Sequence, residues 1–508
     1  MKKLTRRQFL KRGAVGAAGA AMAPHLRFLP GTNVAYAAGP ADAIVVVVQL
    51  DGGNDGLNTL YPLTNNGDFQ RDLYEEYRPT LGLPNTNVGV QNFMGVGFNS
   101  VFPDATSVLS LGTNVDGADY ALHPAMTGLH SLYQAGNLAV VPSVHYPFPD
   151  HSHFRSDEIW NTGDPLGTGG LGWFGKYLDY AGFGPTDVPC VNHDDSIKPL
   201  FTPTDTSIFA YRRLSDLQFP ASDEATLKRD KFLDLYLEAA ASDPGFYPEL
   251  RKIGETGVAT INTMELYYKP GANNSGKVEA LLIDPVEGTY DYNNELIYGS
   301  PLNDPNIGNT RFIRDMRHVA ATIRADVGAR FFHVRLGGFD SHSSQEDGFY
   351  HSFLLREISD GIAGLYNELN QSVTLPGGYS GYQTGNLANK VIIVTFSEFA
   401  RTMRQNAYGE NAAGTDHATS GVQFVVGGAV LGGQYGPHAV LADPRPDNQD
   451  DLKFTWDFRD LYGTILNRWL NVPTVDLVGV GKIFAQTPSG DPEEPAYLSH
   501  TSLGFLAP

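Results

Sequence analysis

Residues 43–50 read Ala-Ile-Val-Val-Val-Val-Gln-Leu, an unbroken and largely β-branched run. A strand with one wet face alternates apolar and polar residues. A continuous run instead predicts a strand buried on both faces, as at the centre of a parallel sheet. Asp51-Gly52-Gly53-Asn54-Asp55-Gly56 stops it. His123-Pro124 opens a helical pattern through Gln134, Gly136 ends that pattern, and residues 138–141 read as a second strand. Further on, the spacing predicts a helix over 310–326, a strand over 329–336, a helix over 352–369, strands over 390–396 and 422–426, and a closing helix over 459–470. Helices alternating with buried strands predict an α/β layer fold. Residues 163–309 are less regular, with helical patterns at 223–242 and 248–269 among Pro-, Gly- and Asn-rich loops. They read as an insertion over the sheet edge, inside one domain spanning 38–508.

The first residues change the picture. Arg6-Arg7 is followed by Phe9-Leu10-Lys11, then a weakly apolar stretch over 13–23, then Ala35-Tyr36-Ala37. Paired arginines, an apolar stretch and a small-x-small cleavage site, in that order, predict a twin-arginine signal over residues 1–37. The expectation is recognition by the twin-arginine export machinery, delivery of a folded protein to the periplasm or beyond, and metal loading before export. A soluble basic arm is the plainer alternative. The stretch over 13–23 is too short to cross a bilayer, which takes about 20 apolar residues, and no other run suffices. No stable membrane span is therefore expected. Lys and Arg total 36 against 56 Asp and Glu, a net charge of −20. That field repels polyanions, so nucleic acid is not an expected partner. Cys190 is the only cysteine, so no internal disulfide forms.

The chemistry lies where strands stop. Asp51 follows the first strand, Asp340 follows Gly337-Gly338-Phe339, and Glu398 follows Phe396-Ser397. Ligands of open α/β sheets bind outside the carboxyl ends of the strands. Carboxylates gathered there without bases repel one another, which favours a bound cation. Asp340-Ser341-His342 and Asp416-His417 add imidazoles, and mixed Asp and His donors suit zinc, manganese or iron better than calcium. A pair of such ions is a common arrangement for phosphoryl transfer. Ser152, in Pro149-Asp150-His151-Ser152-His153-Phe154-Arg155, sits at a strand-to-helix turn where a hydroxyl can become a nucleophile. Arg155 could clamp an anion. Taken singly, each feature has a plainer role: a turn at Asp51, an Asx-turn at Asp340, an N-cap at Ser152. Their recurrence at one sheet edge is what points to a metal site.

Several motifs carry a family resemblance. They are Gly52-Gly53-Asn54-Asp55-Gly56-Leu57-Asn58, Leu122-His123-Pro124, Ser152-His153-Phe154, Gly337-Gly338-Phe339-Asp340-Ser341-His342, Ser397-Glu398-Phe399-Ala400-Arg401-Thr402 and Gly414-Thr415-Asp416-His417. In these the chain resembles the DUF1501 family, often twin-arginine-exported relatives of the alkaline phosphatase and sulfatase superfamily. The resemblance implies an alkaline-phosphatase-like, doubly wound and mostly parallel sheet with helices on both faces. It implies two divalent ions (Zn, Mn or Mg). Asp51 looks like the first acid, with Asp55 competing for that role. Ser152 looks like the nucleophile, Asp340 and His342 like the ligands of one metal, Glu398 like the next acid, and His417 like the late histidine, with Asp416 assisting. Asn58, His153 and Arg155 are then expected to hold a small anionic ester. Asp340 and His342 stand two apart where superfamily phosphatases use four, and Glu398-Phe399 replaces an Asp-His pair. The expected function is an exported, metal-dependent hydrolase of phosphate or sulfate esters. The alternative is a non-catalytic exported binding or assembly protein that keeps the fold and a structural metal.

Overall fold

The computed structural model describes residues 42–93, 97–166, 170–184, 187–194, 197–203, 206, 208–211, 214, 263–264, 266–267, 276–282, 296–375, 381–406, 412–479, 481–484 and 503–507. The signal expected at 1–37 lies outside the described residues, as does nearly all of the helical pattern expected over 223–269.

The valine run forms β1 (Ile44–Asp51), of which all but Asp51 is buried. Alternate side chains enter two separate cores. Val46, Val48 and Leu50 join one apolar cluster and Val45 and Val47 the other. This is the burial on both faces that a continuous apolar run predicts. Eight further strands complete the sheet: β2 (Leu138–His145), β3 (Cys190–Asn192), β4 (Ile208–Ala210), β5 (Phe331–Gly337), β6 (Val391–Phe396), β7 (Gly421–Gly427), β8 (Gly433–Gln434) and β9 (Trp456–Asp457). Their order is β8-β2-β7-β6-β1-β5-β3-β4, with β9 also paired to β2. Only β7 runs antiparallel to its neighbours; the other pairings are parallel.

Helices cover both faces. On one side lie α1 (Thr127–Gln134), α4 (Arg311–Ala325) and α5 (Tyr350–Leu369), whose Leu129, Met316, Ile358 and Ile362 belong to the first cluster. On the other lie α2 (His153–Thr162), α3 (Trp173–Ala181) and α6 (Phe458–Thr464), with Trp160, Trp173 and Tyr462 in the second. The expected mixed α/β architecture with a mostly parallel sheet is therefore present. The segment 163–309 does more than overlie the edge, because its β3 and β4 extend the sheet beyond β5. No helix among the described residues is long and apolar enough to cross a membrane.

Register decides what meets at the carboxyl edge. Asp51 pairs with Gly337 and Gln49 with Phe396, so β1, β5 and β6 end side by side. Because β7 is antiparallel, its start at Gly421 lies at that same edge and brings in the residues just before it. Gly52 and Gly53 turn the chain away from β1 with φ of +118° and +81°. A Cβ on Gly52 would press on the Asp340 backbone nitrogen, and one on Gly53 on the Phe399 ring. Only glycine lets these segments close so tightly.

Candidate metal centre

Four loops deliver the side chains. His153 is the first residue of α2, which is fixed from beneath by Trp160, whose indole N–H donates to the Glu398 carbonyl at 2.9 Å. Asp340 and His342 lie on the loop after β5. His417 sits in a two-residue strand paired antiparallel to Ala400–Arg401. Arg401 is fully buried under the group. Its guanidinium donates to the carbonyls of Gly52, Gly53, Phe339 and Thr415 and to Asp340 Oδ1 at 2.8 Å. One side chain thus ties the loops after β1, β5 and β6 to the residues before β7.

Three imidazoles converge on one carboxylate. His342 Nε2 is 3.0 Å and His417 Nε2 3.2 Å from Asp340 Oδ1, and His153 Nε2 is 3.5 Å from Asp340 Oδ2. Each ring spends its other nitrogen on an acceptor. His153 Nδ1 faces Glu398 Oε1 at 2.8 Å, His342 Nδ1 faces Asp416 Oδ1 at 2.5 Å, and His417 Nδ1 faces the His151 carbonyl at 2.7 Å. Carboxylates and carbonyls only accept, so these Nδ1 atoms carry the protons. In neutral rings the three Nε2 lone pairs then all point at an anion. A cation among them turns this repulsion into coordination, and an Nδ1–H anchored on carboxylate or carbonyl is the usual support of a metal-bound histidine. Two ligands at about 2.0–2.1 Å from a tetrahedral ion lie roughly 3.3 Å apart, which the spacings here match. Among the described residues, His153, Asp340 and His417 form the group whose ligand atoms all lie within 4.8 Å of one another; His342 stands beside it through its contact with Asp340.

The electrostatics agree with an anionic centre braced by cations. Burial works to raise the Asp340 carboxyl, but the hydrogen bond and charge of Arg401, with the His417 and His342 rings beside it, outweigh burial and hold the pKa at about 2. The Glu398 hydrogen bond lifts His153 against the effect of burial. Burial lowers His417, although the His151 carbonyl and Asp340 act the other way. Burial also pushes Glu398 up, although it takes hydrogen bonds from His153 and from the Gly52 N–H at 2.8 Å. Its second oxygen, Oε2, is buried without a partner. Phe399 closes the floor, its ring centroid 4.2 Å from that of His417 and 4.7 Å from that of His153.

The other residues singled out in the sequence fall in different places. Glu398 reaches the centre through His153 and stands behind that ring. Asp416 likewise backs His342. His153, expected to touch substrate, stands among the ligand group. Asp51 is at the edge but is ion-paired to Arg335 and accepts from Gln49 at 3.4 Å. Asp55 is buried away from the cluster. It caps the helical turn Gly56–Thr59, binds Arg78 at 2.5 Å and accepts from Gln345 at 2.6 Å. Asn58, expected to orient substrate, is fully buried; its oxygen accepts from Tyr74 and Arg78 at 2.7 Å, and its amide donates to the Leu81 carbonyl. Arg155 turns along its own helix to Glu158 at 2.8 Å. Ser152 is exposed and occupies the N-cap position of α2, as the plainer reading has it, although its hydroxyl caps no backbone N–H.

Sequence reasoning gave no role to Arg401, although it stands three residues after Glu398 in a quoted motif. It also missed Arg335 and Lys198, which line a cleft of about 410 Å³ beside His153 and Asp340. Arg335 was findable, since it lies two residues before Gly337 on a strand already assigned to the site edge. Lys198 comes from the irregular segment and carried no signal.

Fold and site together define an α/β protein with a histidine–carboxylate centre at the carboxyl edge of its sheet. Residues 309–473, about a third of the chain, match the family model described as "Protein of unknown function (DUF1501)". The match contains Asp340, His342, Glu398, Asp416 and His417, while Asp51 and His153 lie outside it. No curated protein matches the chain.

Proposed function

We propose that the protein is an exported, metal-dependent hydrolase of phosphate or sulfate esters, related to the alkaline phosphatase and sulfatase superfamily. The observation that carries this reading is the set of three imidazoles with Nδ1 anchored and Nε2 aimed at Asp340. His153, Asp340 and His417 would hold the ion, with His342 beside them; zinc or manganese suits such donors. When bound, the ion supplies Lewis-acid polarisation of the ester oxygens and favours an ionised hydroxyl. Glu398 and Asp416 keep the imidazoles in the required tautomer, and Arg401 fixes Asp340. Ser152, exposed and next to His153, is the proposed nucleophile. Its oxygen bonds to phosphorus or sulfur as the bond to the leaving alcohol breaks; that alcohol takes up a proton, and water then releases the acid. The test is export-purified protein, assayed for bound metal and for hydrolysis of aryl phosphates and aryl sulfates with Zn²⁺, Mn²⁺ or Mg²⁺. Bound metal and turnover lost in Ser152→Ala support the reading. Absence of both metal and turnover removes it.

A second reading is favoured by one observation. Asp51 and Asp55 are each engaged by an arginine, so among the described residues a donor set for one ion is assembled, whereas the sequence led to an expectation of two. One ion also suits a non-catalytic binding or assembly protein. In that case chelation lowers the melting temperature, and no ester is turned over at any metal concentration.

A further inference from the structure

Resting on the hydrolase reading, the question is what the cleft beside the centre would hold. Its volume of about 410 Å³ exceeds what an anionic headgroup needs and falls in the range of pockets that enclose small organic ligands. We propose that it binds the leaving group of the ester, and that this group is an uncharged, hydroxylated ring.

Charge decides against a second ion. Besides His153 and Asp340, the cleft is lined by two acids, Asp51 and Asp157, and two bases, Arg335 and Lys198. These are already matched. Arg335 pairs with Asp51, and Lys198 Nζ lies 4.0 Å from Asp157 Oδ2. Gln49, between the two acids, donates to Asp157 Oδ1 at 2.8 Å and to Asp51 Oδ1 at 3.4 Å. A second anion would have to compete with these carboxylates and a cation with these bases. Hydroxyl groups, which both donate and accept, fit a surface of paired opposite charges without displacing either partner.

Phe154 decides for a ring. It stands in the first turn of α2, next to His153, lines the same cleft and is 91% exposed. An aromatic face beside a wall of hydrogen-bonding groups matches a ring with an apolar face and a polar rim. A substrate with its ester at His153 and Asp340 would lay that ring on Phe154 and point hydroxyls toward Asp51, Asp157 and Lys198.

The experiment is calorimetric titration of the exported, metal-replete protein carrying Ser152→Ala, so that no ester is consumed, with methyl glucoside 6-phosphate and 6-sulfate against methyl phosphate and methyl sulfate. Hydrolysis of the same esters by the parent protein is followed separately. The ring should improve affinity by roughly five- to tenfold. Phe154→Ala should erase most of that gain, and Asp157→Asn part of it, with metal content and melting temperature checked in each variant. Equal affinity for ring-bearing and methyl esters overturns the proposal, as does a gain that survives Phe154→Ala or a failure of every probe to bind. A ring-dependent gain without hydrolysis of any ester removes the hydrolase reading and keeps the ring site. Hydrolysis without a ring-dependent gain does the reverse.

Discussion

The same loops build two polar regions of opposite character. After β1, Gly52 packs against Asp340 and Gly53 against Phe399 at the front, while Asp55 two residues later is buried at the back. On the loop after β5, Asp340 and His342 are about half exposed, while Gln345 is fully buried against Asp55. At the back, polar groups satisfy one another. Arg78 donates to Asp55, to Asn58 and to the carbonyls of Thr402 and Met403, and Asp55 also caps a helical turn. At the front only half of each imidazole is satisfied, and the free halves share one carboxylate. Saturated and buried polar groups set the frame. Convergent groups that share one acceptor are where a cation would change the balance most.

The largest expected effect breaks the frame. Arg78→Ala leaves the Asp55 carboxylate buried and uncompensated, a loss of about 3–5 kcal/mol of stability, read as a lower urea midpoint. Burial acts to raise Asp55, and it is the attraction and hydrogen bond of Arg78 that keep it ionised. Asp340→Ala should cost the ion-free protein less than about 1 kcal/mol, because its carboxylate is nearly half exposed, yet it should abolish metal retention. If the two variants lose equal stability, or Arg78→Ala alone loses the metal, the division into frame and centre is wrong.

Acid tests the frame by another route. His333, on β5, is fully buried, and neither ring nitrogen has a hydrogen-bond partner. Burial, helped by the charges of Lys198 and Arg335 and opposed by Asp194, lowers its pKa to about 3; burial lowers His318 on α4 to about 4. Both are held neutral when folded. The unfolded chain therefore binds more protons below pH 6.5, and stability falls as pH drops from there toward the folded values. One such group costs about 2 kcal/mol between pH 6.5 and 5. His333→Phe should flatten that slope in urea titrations across the window. An unchanged slope would mean that His333 gains a proton without unfolding.

What the sequence made legible follows from how each signal arises. The valine run fixed β1, and the acids closing β1, β5 and β6 marked the edge, because burial and strand ends are local properties. The division of those acids between frame and centre is not local. Asp55 reads as a competitor of Asp51 until Arg78, 23 residues away, is seen against it. His153 reads as a substrate contact until its ring is seen between Glu398 and Asp340, which are 245 and 187 positions distant. Tautomers are set by such partners, so no spacing along the chain could reveal them.

Glu398 gives the finest test, because sequence and structure assign it differently. As an acid at a strand end it reads as a ligand; in the fold it is buried behind His153 and holds that ring's Nδ1–H. Glu398→Gln keeps an oxygen for His153 and for the Gly52 N–H but puts an amide N–H where Oε2 now has no partner. Ion-free stability should fall by about 1 kcal/mol. Metal affinity, measured by competition with a chelator, should fall about 10–100-fold, the usual scale for a group that orients a ligand. A drop as deep as that of Asp340→Ala would put Glu398 on the ion itself and restore the role its sequence position first suggested.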